Sequence, residues 1–169
     1  DPMMDHHDTG AALDALVASG KVRSVGVSNF KLHDWTLLQS AMKTKLITNQ
    51  IEISLSANDA LTNGDVAYLQ ERAIPIMAWS PLGGGRIANP VTDSERRVAL
   101  RLDTVAEEFG VSRAVATFSW IAAHPARPIP IIGSQTPARI AEAADIGKVA
   151  WTRQSWYDVL QAAMGEDLP

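Results

Sequence analysis

Residues Ile74-Pro75-Ile76-Met77-Ala78-Trp79-Ser80-Pro81-Leu82-Gly83-Gly84-Gly85 decide how this chain is read. The run from Ile74 to Ala78 is short and apolar, the pattern of a strand buried in a parallel sheet. An aromatic ring and a hydroxyl stand where that strand ends. Three glycines follow, and they let the backbone come close to whatever binds there. In parallel α/β proteins, ligands sit at the carboxyl ends of the strands. The stretch therefore reads either as an aromatic platform followed by a phosphate-cradling loop, or as a strand followed by a plain turn. A glycine run alone does not separate the two.

Working upstream, residues 46–53 form another strand, with Gln50 and Glu52 on one face and Ile51 and Ile53 on the other. Polar side chains on an inward face require partners. Before it, residues 31–42 carry Trp35, Leu38 and Met42 at helical spacing. The segment Val22 to Asn29 reads as a short strand in which Gly26 allows close packing, and Ser28 and Asn29 close it. On residue type alone, Ser-Asn is better explained as a helix cap. A helix over about 10–18, capped by Asp8 or Thr9 and stopped by Gly20, precedes it. His6-His7-Asp8 offers metal-binding side chains, but neighbouring histidines diverge and no third ligand follows at useful spacing, so a solvated helix start is expected.

Downstream, a helix over about 65–72 leads into the central strand. After the irregular segment 86–93, Ser94 is read as the cap of a helix with Val98, Leu102, Val105 and Phe109 on one stripe. Gly110 stops it and Ser112 opens another, which ends at His124-Pro125. His124 then lies at a helix terminus, where a structural role is expected. Residues 128–134 form a fourth apolar strand. Thr136 and Pro137 begin the helix that carries Arg139 and Glu142, and a last helix covers about 152–164. A helix N-terminus with an arginine suits a phosphate, although Arg139 pairing with Glu142 explains the same residues.

Four strand-then-helix units in succession imply a parallel sheet with crossover helices. Nothing resembling a linker interrupts residues 1–169. The chain has a net charge of −4 and no Lys/Arg cluster, so nucleic acid is not the expected partner. It contains no cysteine, which excludes disulfides and thiolate chemistry. No apolar run has the length of a membrane span. A soluble, cytoplasmic protein is expected.

Gly20-Lys21-Val22-Arg23-Ser24-Val25-Gly26-Val27-Ser28-Asn29-Phe30 resembles a signature of the aldo-keto reductase superfamily. Asn49-Gln50, Trp79 to Gly85, and Ile132-Gly133-Ser134 to Arg139 follow in that family's order and spacing. The likeness covers essentially the whole chain, and the subgroup it most resembles is that of bacterial oxidoreductases of the YdhF type. It implies an eight-stranded (β/α) barrel of which this chain forms about the last four units, the C-terminal half.

The resemblance implies NADPH as cofactor and aldehydes or ketones as substrates. Ser28, Asn29 and Gln50 would hold the nicotinamide carboxamide, and Trp79 would take the place of the ring that stacks on the nicotinamide. Ser80, Pro81, Leu82, Gly83, Gly84 and Gly85 would line the pyrophosphate. Ser134 and Arg139 match residues that grip the 2′-phosphate, and Glu142 matches a contact at the adenine end. Gly133 stands where some relatives carry a lysine, and Ala143 where some carry an asparagine.

The same resemblance places the family's catalytic Asp, Tyr, Lys and His in the first half of the barrel. This sequence lacks them. Tyr68 and Tyr157 fall on outer helices and make poor substitutes for a proton donor. The expected partner is therefore a preceding half-barrel, in the same product or as a companion, or a second copy joined through open edges. The chain alone is expected to be inactive. A non-catalytic nucleotide-binding or regulatory module is the alternative.

Overall fold

The architecture comes from a computed structural model, which describes residues 1–165. Four strands, β1 (Val25–Ser28), β2 (Leu46–Glu52), β3 (Ile76–Trp79) and β4 (Ile129–Pro130), form one sheet in the order β1-β2-β3-β4. Every adjacent pair is parallel. Parallel neighbours require crossovers, and crossovers of the usual right-handed sense place every helix on the same face. This is the arrangement expected for four consecutive units of a (β/α) barrel.

Burial follows the alternation expected of β2. Asn49, Ile51 and Ile53 are buried beneath the helices, whereas Thr48, Gln50 and Glu52 lie half-buried on the opposite face. Val25 pairs with Leu46 and Val27 with Asn49, so β2 carries one extra residue there, a bulge. The bulge puts Leu46 and Asn49 on the same buried side. Next to it, a Cβ on Gly26 would stand 2.5 Å from Thr48 Cγ2 and 2.7 Å from the Thr48 carbonyl oxygen. Glycine is needed here because two backbones pass too close for a side chain.

The fourth strand is shorter than the apolar run 128–134 suggests. Pro128 and Pro130 have no N–H to give the ladder. One further bond, Ile131 N–H to Ala78 O at 2.9 Å, ends the pairing.

Seven helices accompany the described strands: α1 (His6–Ala18), α2 (Leu32–Ser40), α3 (Asp65–Glu71), α4 (Asp93–Phe109), α5 (Arg113–Ala122), α6 (Pro137–Glu142) and α7 (Arg153–Met164). The first begins earlier than expected. Asp5, rather than Asp8 or Thr9, caps it by accepting from the His7 and Asp8 N–H groups, which draws His6, His7 and Asp8 into its first turn. The cap of α4 is Thr92, not Ser94: Thr92 and Glu95 accept reciprocally from each other's backbone N–H in a capping box. Gly110 and Gly165 end α4 and α7 in the left-handed conformation, as glycine's missing Cβ permits.

The core lies between sheet and helices, around Leu46, Ile76, Leu102, Trp120 and Ile121. Trp120 of α5 stacks on Trp156 of α7, with ring centroids 4.7 Å apart. Each indole N–H donates to the other residue's carbonyl, at 3.0 and 2.8 Å. Both rings thus satisfy their single polar atom while burying their faces.

Candidate functional site

The polar residues at the carboxyl ends of β1, β2 and β3 form one bonded group. Ser28 pairs with Gln50 in the ladder, and its hydroxyl donates to Gln50 O at 3.0 Å. The Asn29 N–H donates to the same carbonyl at 2.9 Å. Asn29 takes a left-handed conformation (φ 57°), which asparagine tolerates better than most residues, and this turns the chain out of β1. Its side-chain oxygen then accepts the Trp79 indole N–H at 2.9 Å.

The donor and acceptor arithmetic follows directly. The Ser28 proton is engaged, so its oxygen is left to accept. Asn29 Oδ1 is taken by the indole, which leaves its NH2 to donate. The Gln50 side chain retains both functions. That set complements a primary carboxamide, which presents one carbonyl and two N–H bonds, beside an aromatic face.

A second group lines a cavity of about 660 Å³ just beyond β3 and β4. Ser80, Pro81, Leu82, Gly84 and Gly85 form one wall, and Ser134, Arg139 and Glu142 another. Gly133 and Ala143 also lie on its surface, which puts both departures from the family pattern at the cavity itself. Ser80 and the three glycines all have positive φ, and no atom lies within 4 Å of where a Cβ on Gly84 or Gly85 would be. Gly83 does not line the cavity. It packs against the turn after β2, where a Cβ would come 2.8 Å from Ser56 Oγ.

The loop turns its carbonyls inward. Leu82 O accepts from Gly85 and Ile87, Gly85 O from Ala88 and Asn89, and Gly83 O from the Arg86 side chain. The Gly83 and Gly85 amides are themselves spent on Ser80 O and Leu82 O. The cavity wall also carries the Ser80 and Ser134 hydroxyls and the Arg139 side chain. The Arg139 guanidinium is exposed and forms no pair with Glu142. Thr136 occupies the N-cap position of α6 without a side-chain cap bond. Its N–H donates instead to Ser134 Oγ at 3.2 Å.

Two supports escaped the sequence reading. Asn49 is 2 % exposed and clamps the Phe30 backbone, donating from Nδ2 to Phe30 O at 2.7 Å and accepting the Phe30 N–H at 3.4 Å. A polar residue at an apolar phase of β2 was the available signal. Arg113 makes a two-pronged pair with Asp103, both bonds at 2.6 Å, and donates to Ile87 O and Ala88 O at 3.0 and 3.3 Å. Hydrogen bonding to Asp103 raises the Arg113 pKa further, against the opposing effect of burial. No periodicity within one helix relates residues on α4 and α5, so this pair left no trace in the sequence pattern.

Other polar and aromatic side chains lie elsewhere. Tyr68 sits under the Arg72 guanidinium on α3, and Tyr157 packs edge-on to Trp156 on α7. His124 accepts the Ala126 N–H at 3.1 Å, and burial lowers its pKa. Among the described residues no group of His, Cys, Asp or Glu could hold a metal ion, and no helix is long and apolar enough to cross a membrane.

A parallel sheet with helices on one face, with a polar group and a cavity at its strand ends, is the arrangement of a segment of a (β/α) barrel. The sequence pattern of the Aldo/keto reductase family matches residues 1–163. The chain belongs to that family of oxidoreductases, which generally use nicotinamide cofactors. It is 46% identical over 168 residues to a 6-dehydroglucose reductase of Agrobacterium fabrum, covering 99% of this chain and 56% of the relative. It is 39% identical over 170 residues to the oxidoreductase YdhF of Escherichia coli, covering 100% of this chain and 56% of the relative. A solved thermostable aldo-keto reductase superimposes with a TM-score of 0.83 at 17% identity, over 96% of this chain and 56% of that one, which is a likeness of fold. The chain spans about half the length of these relatives.

Proposed function

We propose that this chain is the cofactor-binding half of an NADPH-dependent reductase that converts aldehydes or ketones to alcohols. The observation that carries the reading is the bonded group of Ser28, Asn29, Gln50 and Trp79 at three strand ends, whose remaining donors and acceptors suit a carboxamide. A bound nicotinamide supplies the hydride that reduces a carbonyl carbon. The chain's part is to orient it: Asn29, Gln50 and Ser28 fix the carboxamide, and Trp79 offers a flat face. Ser80 and Ser134 donate to phosphate oxygens, Arg139 grips the 2′-phosphate, and Glu142 contacts the adenine end. Pro81, Leu82, Gly84 and Gly85 shape the wall between the two ends, and Gly83 supports it from the turn after β2.

The proton donor comes from a preceding half-barrel, joined to this one along the uncovered sheet face and its free edges. Ile129 of the edge strand β4 is 54% exposed, in keeping with such a partner. The whole protein acts in the cytoplasm. Its substrate class follows the names of relatives: an oxidised hexose whose carbonyl is reduced is the first to try.

A second reading, a non-catalytic nucleotide-binding module, draws on the distance of chemistry-bearing groups from the site. Neither Tyr68 nor Tyr157 lines the cavity described above.

Calorimetric titration with NADPH and NADH tests the cofactor. NADPH should bind more tightly, and Arg139→Ala should weaken NADPH by on the order of tenfold, the scale of a charged hydrogen bond, while sparing NADH. Equal loss for both cofactors would remove Arg139 from the 2′-phosphate. Turnover of 6-dehydroglucose or a simple aldehyde by the isolated chain would overturn its inactivity. A full-length product that binds NADPH but reduces no carbonyl would favour the second reading.

A further inference from the structure

We infer that Arg113, held by Asp103, is a positioning residue for the phosphate-facing loop: it locks the exit of the Gly83–Gly85 turn and keeps two backbone carbonyls from facing the bound anion. The inference rests on the cofactor reading above.

Arg113 begins α5, ten residues beyond Asp103 in α4. Its two bonds to Asp103 occupy Nε and Nη2 in the planar fork that guanidinium and carboxylate share. That pairing fixes the direction of Nη1, which reaches Ile87 O and Ala88 O. The two helices thereby hold the loop from behind. Ile87 is 1% exposed and anchors the loop in the core, whereas Ala88 lies on the wall of the cavity.

The geometry has an electrostatic purpose. A carbonyl oxygen turned toward phosphate repels it. Leu82, Gly83 and Gly85 carbonyls are satisfied within the loop, but Ile87 and Ala88 stand where the turn has ended and no following amide reaches back to them. Arg113 closes that gap. Its charge is matched by Asp103, so its effect on the ligand passes through the loop and not through direct contact. The Arg96–Asp93 pair, by contrast, is largely exposed and lies within one helix turn, and Arg86, which also pairs with α4 through Glu95, does so at 3.8 Å.

The fork cannot be replaced by a point charge. A lysine reaches either the carboxylate or the carbonyls, with no rigid plane to serve both. The expected order of effect is thus Arg113→Ala, then Arg113→Lys, then wild type.

The test compares two cofactor fragments on the full chain at a temperature well below unfolding: adenosine 2′,5′-bisphosphate and nicotinamide riboside, which carries no phosphate. Arg113→Ala should weaken the adenosine fragment by on the order of tenfold and leave the phosphate-free riboside unchanged. Millimolar ethylguanidinium should restore part of the loss. Hydrogen exchange should quicken over residues 82–89 and stay constant in β2. Wild-type chain that binds neither fragment would overturn the cofactor reading and this inference with it. Wild-type binding with unchanged adenosine-fragment affinity in Arg113→Ala would overturn this inference alone. Equal weakening of both fragments would also overturn it, since that marks a general loss of structure.

Discussion

The Trp79 indole N–H donates to Asn29 Oδ1 at 2.9 Å and so ties the end of β3 to the end of β1 across the intervening strand. One bond sets the tilt of the aromatic ring and the direction of the Asn29 amide. In Trp79→Phe a flat ring remains but the donor is lost, so nicotinamide mononucleotide affinity should fall several-fold, in line with about 1 kcal/mol for a neutral bond. Trp79→Leu should lose more. Equal affinities of Trp79→Phe and the wild-type chain in a titration would sever the bond from any role in binding.

Asn49 offers a cleaner stability probe. Removing it leaves the Phe30 carbonyl and N–H unpaired beneath α2, and Asn49→Ala should cost about 1–3 kcal/mol in urea unfolding. Asn49→Asp should cost more, because a carboxylate presents no donor to Phe30 O. A variant as stable as wild type would mean that water serves Phe30 equally well.

Gly26→Ala should destabilise by about 1–3 kcal/mol through overpacking. Thr48→Ser removes the Cγ2 contact but leaves the Thr48 carbonyl 2.7 Å from the new methyl, so it should not rescue. Rescue in the double variant would show that the strands move apart freely.

Acid should unfold the chain through identifiable carboxylates. Backbone N–H bonds from Lys43 and Thr44, with a Thr44 side-chain contribution between them, hold Asp14 below its ordinary 3.8. The Thr92 and Val91 N–H groups hold Glu95 below 4.5. A lowered folded pKa means the unfolded chain binds more protons. These contributions are complete above the unfolded values and vanish as pH falls through the folded ones. His124, lowered by burial from 6.5, acts in the same direction over a higher window: stability declines as pH drops from 6.5 toward its folded value. Melting temperatures should therefore slip from about pH 6.5 and fall steeply below about pH 4. Asp14→Asn should lower the neutral-pH value and flatten the acid limb. An unchanged acid limb in that variant would exclude Asp14 as a contributor.

Much of this was legible in the chain, for particular reasons. Ile51 and Ile53 alternate with Gln50 and Glu52, and a period of two survives into the structure because one face meets helices. Trp79 and the glycines could be placed because a strand end and a loss of Cβ atoms are local features. Asp5 and Thr92 were missed as caps because several Asp, Thr and Ser residues stood within reach, and only backbone geometry chooses among them. The fourth strand was overread because its apolar content hid the donors lost at Pro128 and Pro130. Asn49 and Arg113 act on residues 19 and 25 to 26 positions away, respectively, distances over which composition carries no signal.

The stacked pair Trp120–Trp156 has an optical consequence. Of the five tryptophans, these two have stacked rings, while Trp79 stands at the carboxyl end of β3. Undocking α7 would uncouple the pair and alter the near-ultraviolet dichroism. A ligand resting on Trp79 would instead quench emission and leave that coupling intact. The protein thus carries two separate optical signals, one for closure of its core and one that would follow occupancy of the proposed site, with no label added.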